Sequence, residues 1–132
     1  MNNIEFTEEN IREYRGKIKP GRRVNVPKIA FDVDGTLIST DKDPEPRLDV
    51  IMLLRAFDLM GWDVYVHSGG GVKYAEDWVR RLRLDEKVHI HIAPKGSPDH
   101  EYDIAVDDAI DPKVATVQGV DYRVKAKYFI QV

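Results

Sequence analysis

Phe31-Asp32-Val33-Asp34-Gly35-Thr36-Leu37 closes the apolar run Ile29-Ala30-Phe31 and opens a polar loop that reaches Pro46. The pattern predicts a short buried strand, Lys28 to Val33, that ends with two carboxylates two residues apart. Side chains on a strand repeat every two residues, so Asp32 and Asp34 leave it on the same side. Gly35 lets the backbone turn sharply behind them. Two like charges held this close raise the cost of ionising each other, and a bound divalent cation is the usual remedy. Hard cations such as Mg2+ take oxygen ligands. Asp-Gly turns are common, so the pair acquires meaning only from the rest of the chain.

Downstream, helices and strands alternate. The loop from Thr36 to Pro46 leads into a helix expected from about Arg47 to Met60, with Val50, Leu53, Leu54, Phe57 and Met60 on one face and Gly61 placed to stop it. Trp62 to His67 is rich in aromatic and β-branched residues and reads as the second strand. It runs into Ser68-Gly69-Gly70-Gly71. A helix from about Val72 to Leu84 follows. Val88 to Ala93 alternates and predicts a third strand with Val88, Ile90 and Ile92 inward and His89 and His91 on the polar side. His67 is expected to be a satisfied strand-end histidine. Asp103 to Val106 is the expected fourth strand, running into Asp107-Asp108, and Val120 to Ala126 a fifth.

This alternation predicts an α/β fold: a three-layer, Rossmann-like parallel sheet with helices on both faces. In such sheets ligands bind beyond the carboxyl ends of the strands. Four strand exits deliver polar groups there: Asp32 and Asp34, then Ser68 with its glycines, then Lys95, then Asp107-Asp108. Only Pro94 to Tyr102 joins strands three and four, short for a parallel crossover. Lys87 and Lys73 are therefore kept as alternatives to Lys95.

Carboxylates and an ammonium on one rim suit phosphoryl transfer. A metal held by Asp32 and one of Asp107 and Asp108 would offset the repulsion between a phosphate ester and an anionic nucleophile. Asp32 can attack phosphorus to form an aspartyl-phosphate. Asp34 can protonate the leaving oxygen and later activate water. Ser68 and the backbone N–H groups around Gly69 and Gly70 can grip phosphoryl oxygens, and Lys95 can oppose them with a fixed charge.

These motifs resemble those of the haloacid dehalogenase (HAD) superfamily of phosphatases. Asp32-Val33-Asp34-Gly35-Thr36 looks like its first motif, Ser68 its second, Lys95 its third and Asp107-Asp108 its fourth, over residues 28 to 108. The resemblance implies a HAD-like fold and a phosphatase. Asp32 would be nucleophile and Mg2+ ligand, and Asp34 the acid/base, with its main-chain carbonyl on the metal. Asp108 would be the carboxylate ligand, with Asp107 beside it or acting through water. Gly35, Thr36, Ser68, Gly69, Gly70 and Lys95 would surround the phosphate. The segment from Leu59 to Gly69, with Trp78-Val79 and the tandem Asp107-Asp108, is further similar to the polynucleotide 3′-phosphatase domains of phage polynucleotide kinase–phosphatases. Those carry arginine where this chain has Gly70. No span between motifs is long enough for a cap domain, so either a large substrate, such as a nucleic-acid end or a protein, or a neighbouring subunit of a homo-oligomer would cover the site.

The bulk properties bound this reading. The chain has 132 residues, enough for one core. It divides into an N-terminal helix and basic arm, 1–27, and the domain 28–132. Absence of cysteine rules out thiolate chemistry and fits a reducing cytoplasm. No apolar run reaches membrane-spanning length, and Met1 to Asn10 is too acidic for a secretory signal. A net charge of −3 argues against a protein that coats nucleic acid. Arg12, Arg15, Lys17, Lys19, Arg22, Arg23 and Lys28 nevertheless concentrate near the N-terminus. The competing function is a catalytically weak binding or assembly module that works through this arm. A phosphorylated receiver domain shares the acids and the lysine, but there the lysine comes last.

Overall fold

A computed structural model describes residues 26–97, 99–109, 116–117, 120–121 and 124–132. The expected N-terminal helix, and all of the basic arm but its last residues, lie outside the described residues. The strands are β1 (Lys28–Asp32), β2 (Asp63–His67), β3 (Ile90–Ile92), β4 (Glu101–Asp107), β5 (Thr116–Val117), β6 (Val120–Asp121) and β7 (Lys125–Gln131). Helix α1 covers Leu48–Leu59 and α2 Val72–Arg81, and a 3-10 turn spans Leu84–Glu86.

Five strands form one parallel sheet in the order β3-β2-β1-β4-β7, and β5 and β6 pair separately as an antiparallel ribbon. Among the sheet strands this is the Rossmann-like order 3-2-1-4-5. Its direction reverses between β1 and β4, and that switch point is where such sheets open a crevice. The expected fifth strand at Val120 to Ala126 is corrected: Val120–Asp121 belongs to the ribbon, and the fifth sheet strand is β7.

Register explains the layers. Ile29 and Phe31 pair with Val64 and Val66, which pair with Ile90 and Ile92; on the other side Ile29 and Phe31 pair with Ile104 and Val106. These side chains share one face. Ile29, Phe31, Val64, Val66 and Val106 form a single buried core with Val50 and Leu54 of α1 and Ala75, Trp78 and Val79 of α2. Both helices therefore cover the same face, and among the described residues no helix covers the other. The hand of the crossovers is the reason. The steps β1 to β2 and β2 to β3 move outward in one direction, so right-handed connections put both helices on one side. The return from β3 to β4 moves the other way and crosses the opposite face, and residues 93–100 are too few to build a helix there. Such a loop must cover roughly 14 Å across three strand spacings and drop back about 17 Å along the strand. Extended chain at about 3.5 Å per residue manages the resulting ~22 Å without a helix.

The opposite face is aromatic and polar. The Tyr65 ring stacks on His91 at 4.8 Å and meets Tyr102 at 5.3 Å and His100 at 5.9 Å. Gly61 ends α1 as expected: at φ 89°, it donates to Asp58 O while Trp62 N donates to Phe57 O, and the Phe57 and Trp62 rings close the cap at 4.8 Å. This is the Schellman arrangement, which satisfies carbonyls that a helix end leaves open.

Candidate active site

β1 stops at Asp32, and Val33 turns under it. The Val33 carbonyl accepts the amides of Thr36, Leu37 and Ile38 at 3.1, 3.0 and 3.2 Å, which fixes the path of the loop. Asp32 is buried beside the core, whereas Asp34 reaches solvent. Gly35 has φ 77°, and a Cβ built on it would stand 2.0 Å from Asp108 Oδ2. Only glycine satisfies both the left-handed backbone and the close approach of that carboxylate. Arg47, just ahead of α1, donates from Nη1 to the Gly35 carbonyl at 2.7 Å and braces the turn.

β4 lies beside β1, with Phe31 opposite Val106, so Asp107 emerges next to Asp32. One carboxylate oxygen from each of Asp32, Asp107 and Asp108 lies within 4.8 Å of the others. Opposite ligands of an octahedral Mg2+ stand about 4.2 Å apart, so small side-chain adjustments would bring the three onto one ion. The donor set, all carboxylate oxygen, suits a hard divalent cation. Asp107 is the more deeply buried of the tandem pair, so both members, and not Asp108 alone, face Asp32.

Lys95 lies in the bare β3–β4 loop, and its Nζ donates to Asp32 Oδ1 at 3.1 Å and Asp107 Oδ2 at 2.8 Å. The alternatives are elsewhere: Lys73 pairs with Asp77 at 3.8 Å on the α2 surface, and Lys87 is exposed. Burial drives the Asp32 carboxyl up to about 7, against Lys95, which lowers it, and with Asp107, which adds to the rise. Burial also pushes Asp107 upward, but the Lys95 and Ala109 hydrogen bonds outweigh it and hold Asp107 below the usual carboxylate range. Burial would lower Lys95; the two carboxylates raise it instead. Asp108 is raised, by burial first and then by Asp107.

Ser68 closes β2 and is buried. Its Oγ accepts the Gly70 amide at 3.0 Å, and its carbonyl accepts Gly71 N at 3.1 Å. The Gly70 N–H is thus engaged within the loop rather than directed at a ligand. Gly69 stands exposed at the rim. Thr36 is fully buried, with its amide on Val33 O, so it supports the turn from below rather than lining the rim. His67 departs from expectation: it is 1% exposed, and neither ring nitrogen has a hydrogen-bond partner among the described residues. Burial, and then Lys95, lower it to about 4, so it is neutral near pH 7.

Sequence reading missed Tyr74. Its hydroxyl donates to Asp34 Oδ1 at 2.6 Å. Helical side chains lean toward the N-terminus, so a tyrosine in the first turn of a helix leaving the rim is a usable signal, although the sequence does not say which group it meets. His67 carried no such signal, since its burial against Tyr102 depends on the order of the strands in the sheet.

Comparison of the chain with protein-family models and with curated proteins finds no match. Among the described residues no helix is long and apolar enough to cross a membrane.

The Gly35 geometry yields a prediction. Gly35→Ala should cost about 1 kcal/mol or more in backbone strain and displace Asp108. Thermal unfolding should fall modestly, and divalent-cation affinity, measured by titration calorimetry, should fall at least about tenfold. Wild-type affinity in a folded Gly35→Ala protein would remove Asp108 from the ligand set.

Proposed function

We propose that this chain is a Mg2+-dependent phosphomonoester hydrolase that works through an aspartyl-phosphate on Asp32, with a HAD-like form of the Rossmann-like sheet. The observation that carries the reading is the Lys95 ammonium held between Asp32 and Asp107 at the switch point of the sheet, with Asp108 beside them. Strand exits far apart in sequence supply those groups to one place.

Asp32, Asp107 and Asp108 would hold Mg2+, with the Asp34 carbonyl beside them. Bound there, the ion would offset phosphate charge and stabilise the charge that develops in the transition state. Asp32 attacks phosphorus as the ester P–O bond breaks, and Asp34 gives its proton to the departing oxygen. Water then attacks the aspartyl-phosphate, Asp34 takes a proton from it, and the P–O bond to Asp32 breaks to release phosphate. Lys95 opposes the burial that would otherwise protonate Asp32 further, and offers its ammonium to phosphoryl oxygens. Ser68 presents its hydroxyl from the end of β2.

Asp34, Gly69 and Gly70 are exposed, and the connections between the motifs carry no inserted domain among the described residues. An open site fits a nucleotide, a sugar phosphate or a polynucleotide 3′-phosphate, partnered in the first two cases by a second subunit as cover. The test is phosphate release from p-nitrophenyl phosphate and a 3′-phosphorylated oligonucleotide, with Mg2+ and with chelator. Mg2+-dependent release is expected from at least one. Folded protein with no release from either would refute the reading, and the ratio of the two rates reports the substrate class.

A further inference from the structure

The phosphatase reading leaves one short hydrogen bond without a task. The Tyr74 hydroxyl, from the first turn of α2, reaches Asp34 Oδ1 at 2.6 Å, the length of a charge-assisted O–H···O bond. It is the one side-chain hydrogen bond that Asp34 makes among the described residues. Asp34 is exposed, while the acid in this reaction must meet the leaving oxygen at one place. The loop is shaped to admit the tyrosine. A Cβ on Gly70 would stand 3.0 Å from Cγ and Cδ1 of the Tyr74 ring, so glycine at this position lets the ring lie across the loop.

We infer that Tyr74 is a positioning residue for leaving-group protonation: it holds Asp34 by Oδ1 and so leaves Oδ2 to carry the transferred proton. The inference rests on the phosphatase reading. Tyr74 keeps its own proton throughout. As the ester P–O bond breaks, the proton on Asp34 Oδ2 passes to the leaving oxygen, the product alcohol departs, and Asp34 is left as a carboxylate that still accepts from Tyr74. The same hold then orients Oδ2 toward the attacking water. The ring itself stands partly open, 36% exposed.

A role in protonating the leaving group makes a demand that a structural role does not. The defect must grow with the basicity of the leaving group, because a good leaving group departs without a proton. The experiment compares p-nitrophenyl, phenyl and benzyl phosphate with wild type, Tyr74→Phe and Gly70→Ala at saturating Mg2+. Tyr74→Phe keeps the ring and the fold. Its kcat/KM, which reports the steps up to departure of the leaving group and not hydrolysis of the shared aspartyl-phosphate, should fall about twofold with p-nitrophenyl phosphate and about ten- to hundredfold with benzyl phosphate, the cost of a misplaced catalytic group. Gly70→Ala should push the ring aside and follow the same trend with smaller amplitude. On an Asp34→Asn background Tyr74→Phe should add nothing, since the two would act as one unit. Equal losses across the three esters or wild-type turnover of benzyl phosphate would each overturn the role of Tyr74 and leave the phosphatase reading intact. Absence of Mg2+-dependent turnover by the wild type would overturn both.

Discussion

Asp32→Asn should abolish phosphate release, by about four orders of magnitude or more, and at the same time stabilise the protein without metal at neutral pH. The loss follows from chemistry: an amide cannot form the acyl phosphate, and covalent catalysis is removed rather than weakened. The gain follows from burial. The Asp32 carboxyl titrates at about 7 in the folded chain against an ordinary 3.8. Between those values the folded state binds a proton that the unfolded state has released, so stability falls as pH rises through the window. Below about pH 4 the cost is absent; above about 7 it is complete. Asparagine never ionises and escapes it, so the stabilisation of the variant should be near zero at pH 4, grow to pH 7 and then level off. Urea unfolding in chelator across this range measures it. Opposite movement of activity and stability is the mark of a residue kept for function. If turnover survived in the variant, Asp32 would not be the nucleophile. If stability were unchanged at every pH, its charge would not be buried at a cost.

The parts of this arrangement that sequence reveals are those written in period and punctuation. The stop of α1 at Gly61, the aromatic and β-branched run of β2, and the acid-bearing exits after Phe31 and Val106 are local patterns, and each stands where it is expected; Met60, read onto the apolar face of α1, is exposed instead. Lys95 was harder, since the short β3–β4 connection argued against the strand assignment that placed it; the bare loop across the second face resolves that difficulty. That both described helices lie on one face was not legible, because it depends on the hand and direction of crossovers rather than on any segment. The position of the last sheet strand was missed for a related reason: alternating residues near 120 and near 128 look alike, and only pairing with β4 separates them. Tyr74 and His67 illustrate the same limit in the site. Their contacts join the turn after β1 to α2 and β2 to Tyr102 of β4, and no spacing within one segment encodes such a meeting.

Lys95→Met tests the electrostatic centre of the site directly. Methionine matches the length of the lysine stem and removes only the charge. It leaves Asp32 and Asp107, both nearly buried, facing each other without the ammonium that now sits 3.1 and 2.8 Å from them. Removing one partner from a buried charge cluster costs about 3–5 kcal/mol, and that loss is expected at pH 8 in chelator. Lys95 is itself raised above its ordinary value by the carboxylates, so its contribution is fully present at pH 8 and would disappear only above its normal titration range. At pH 5 the deficit should shrink, because a proton on Asp32 replaces the missing positive charge; burial and Asp107 already favour that proton in the wild type. Mg2+ should do at pH 8 what the proton does at pH 5, and so stabilise the variant more than the wild type, by binding to the same three carboxylates. Turnover should nevertheless fall at least about a hundredfold, since neither proton nor metal restores a fixed ammonium beside the phosphoryl group. Equal stability of variant and wild type at pH 8 in chelator would show that the two carboxylates are not held together by Lys95. Equal responses to Mg2+ would separate the metal from the Asp32–Asp107 pair.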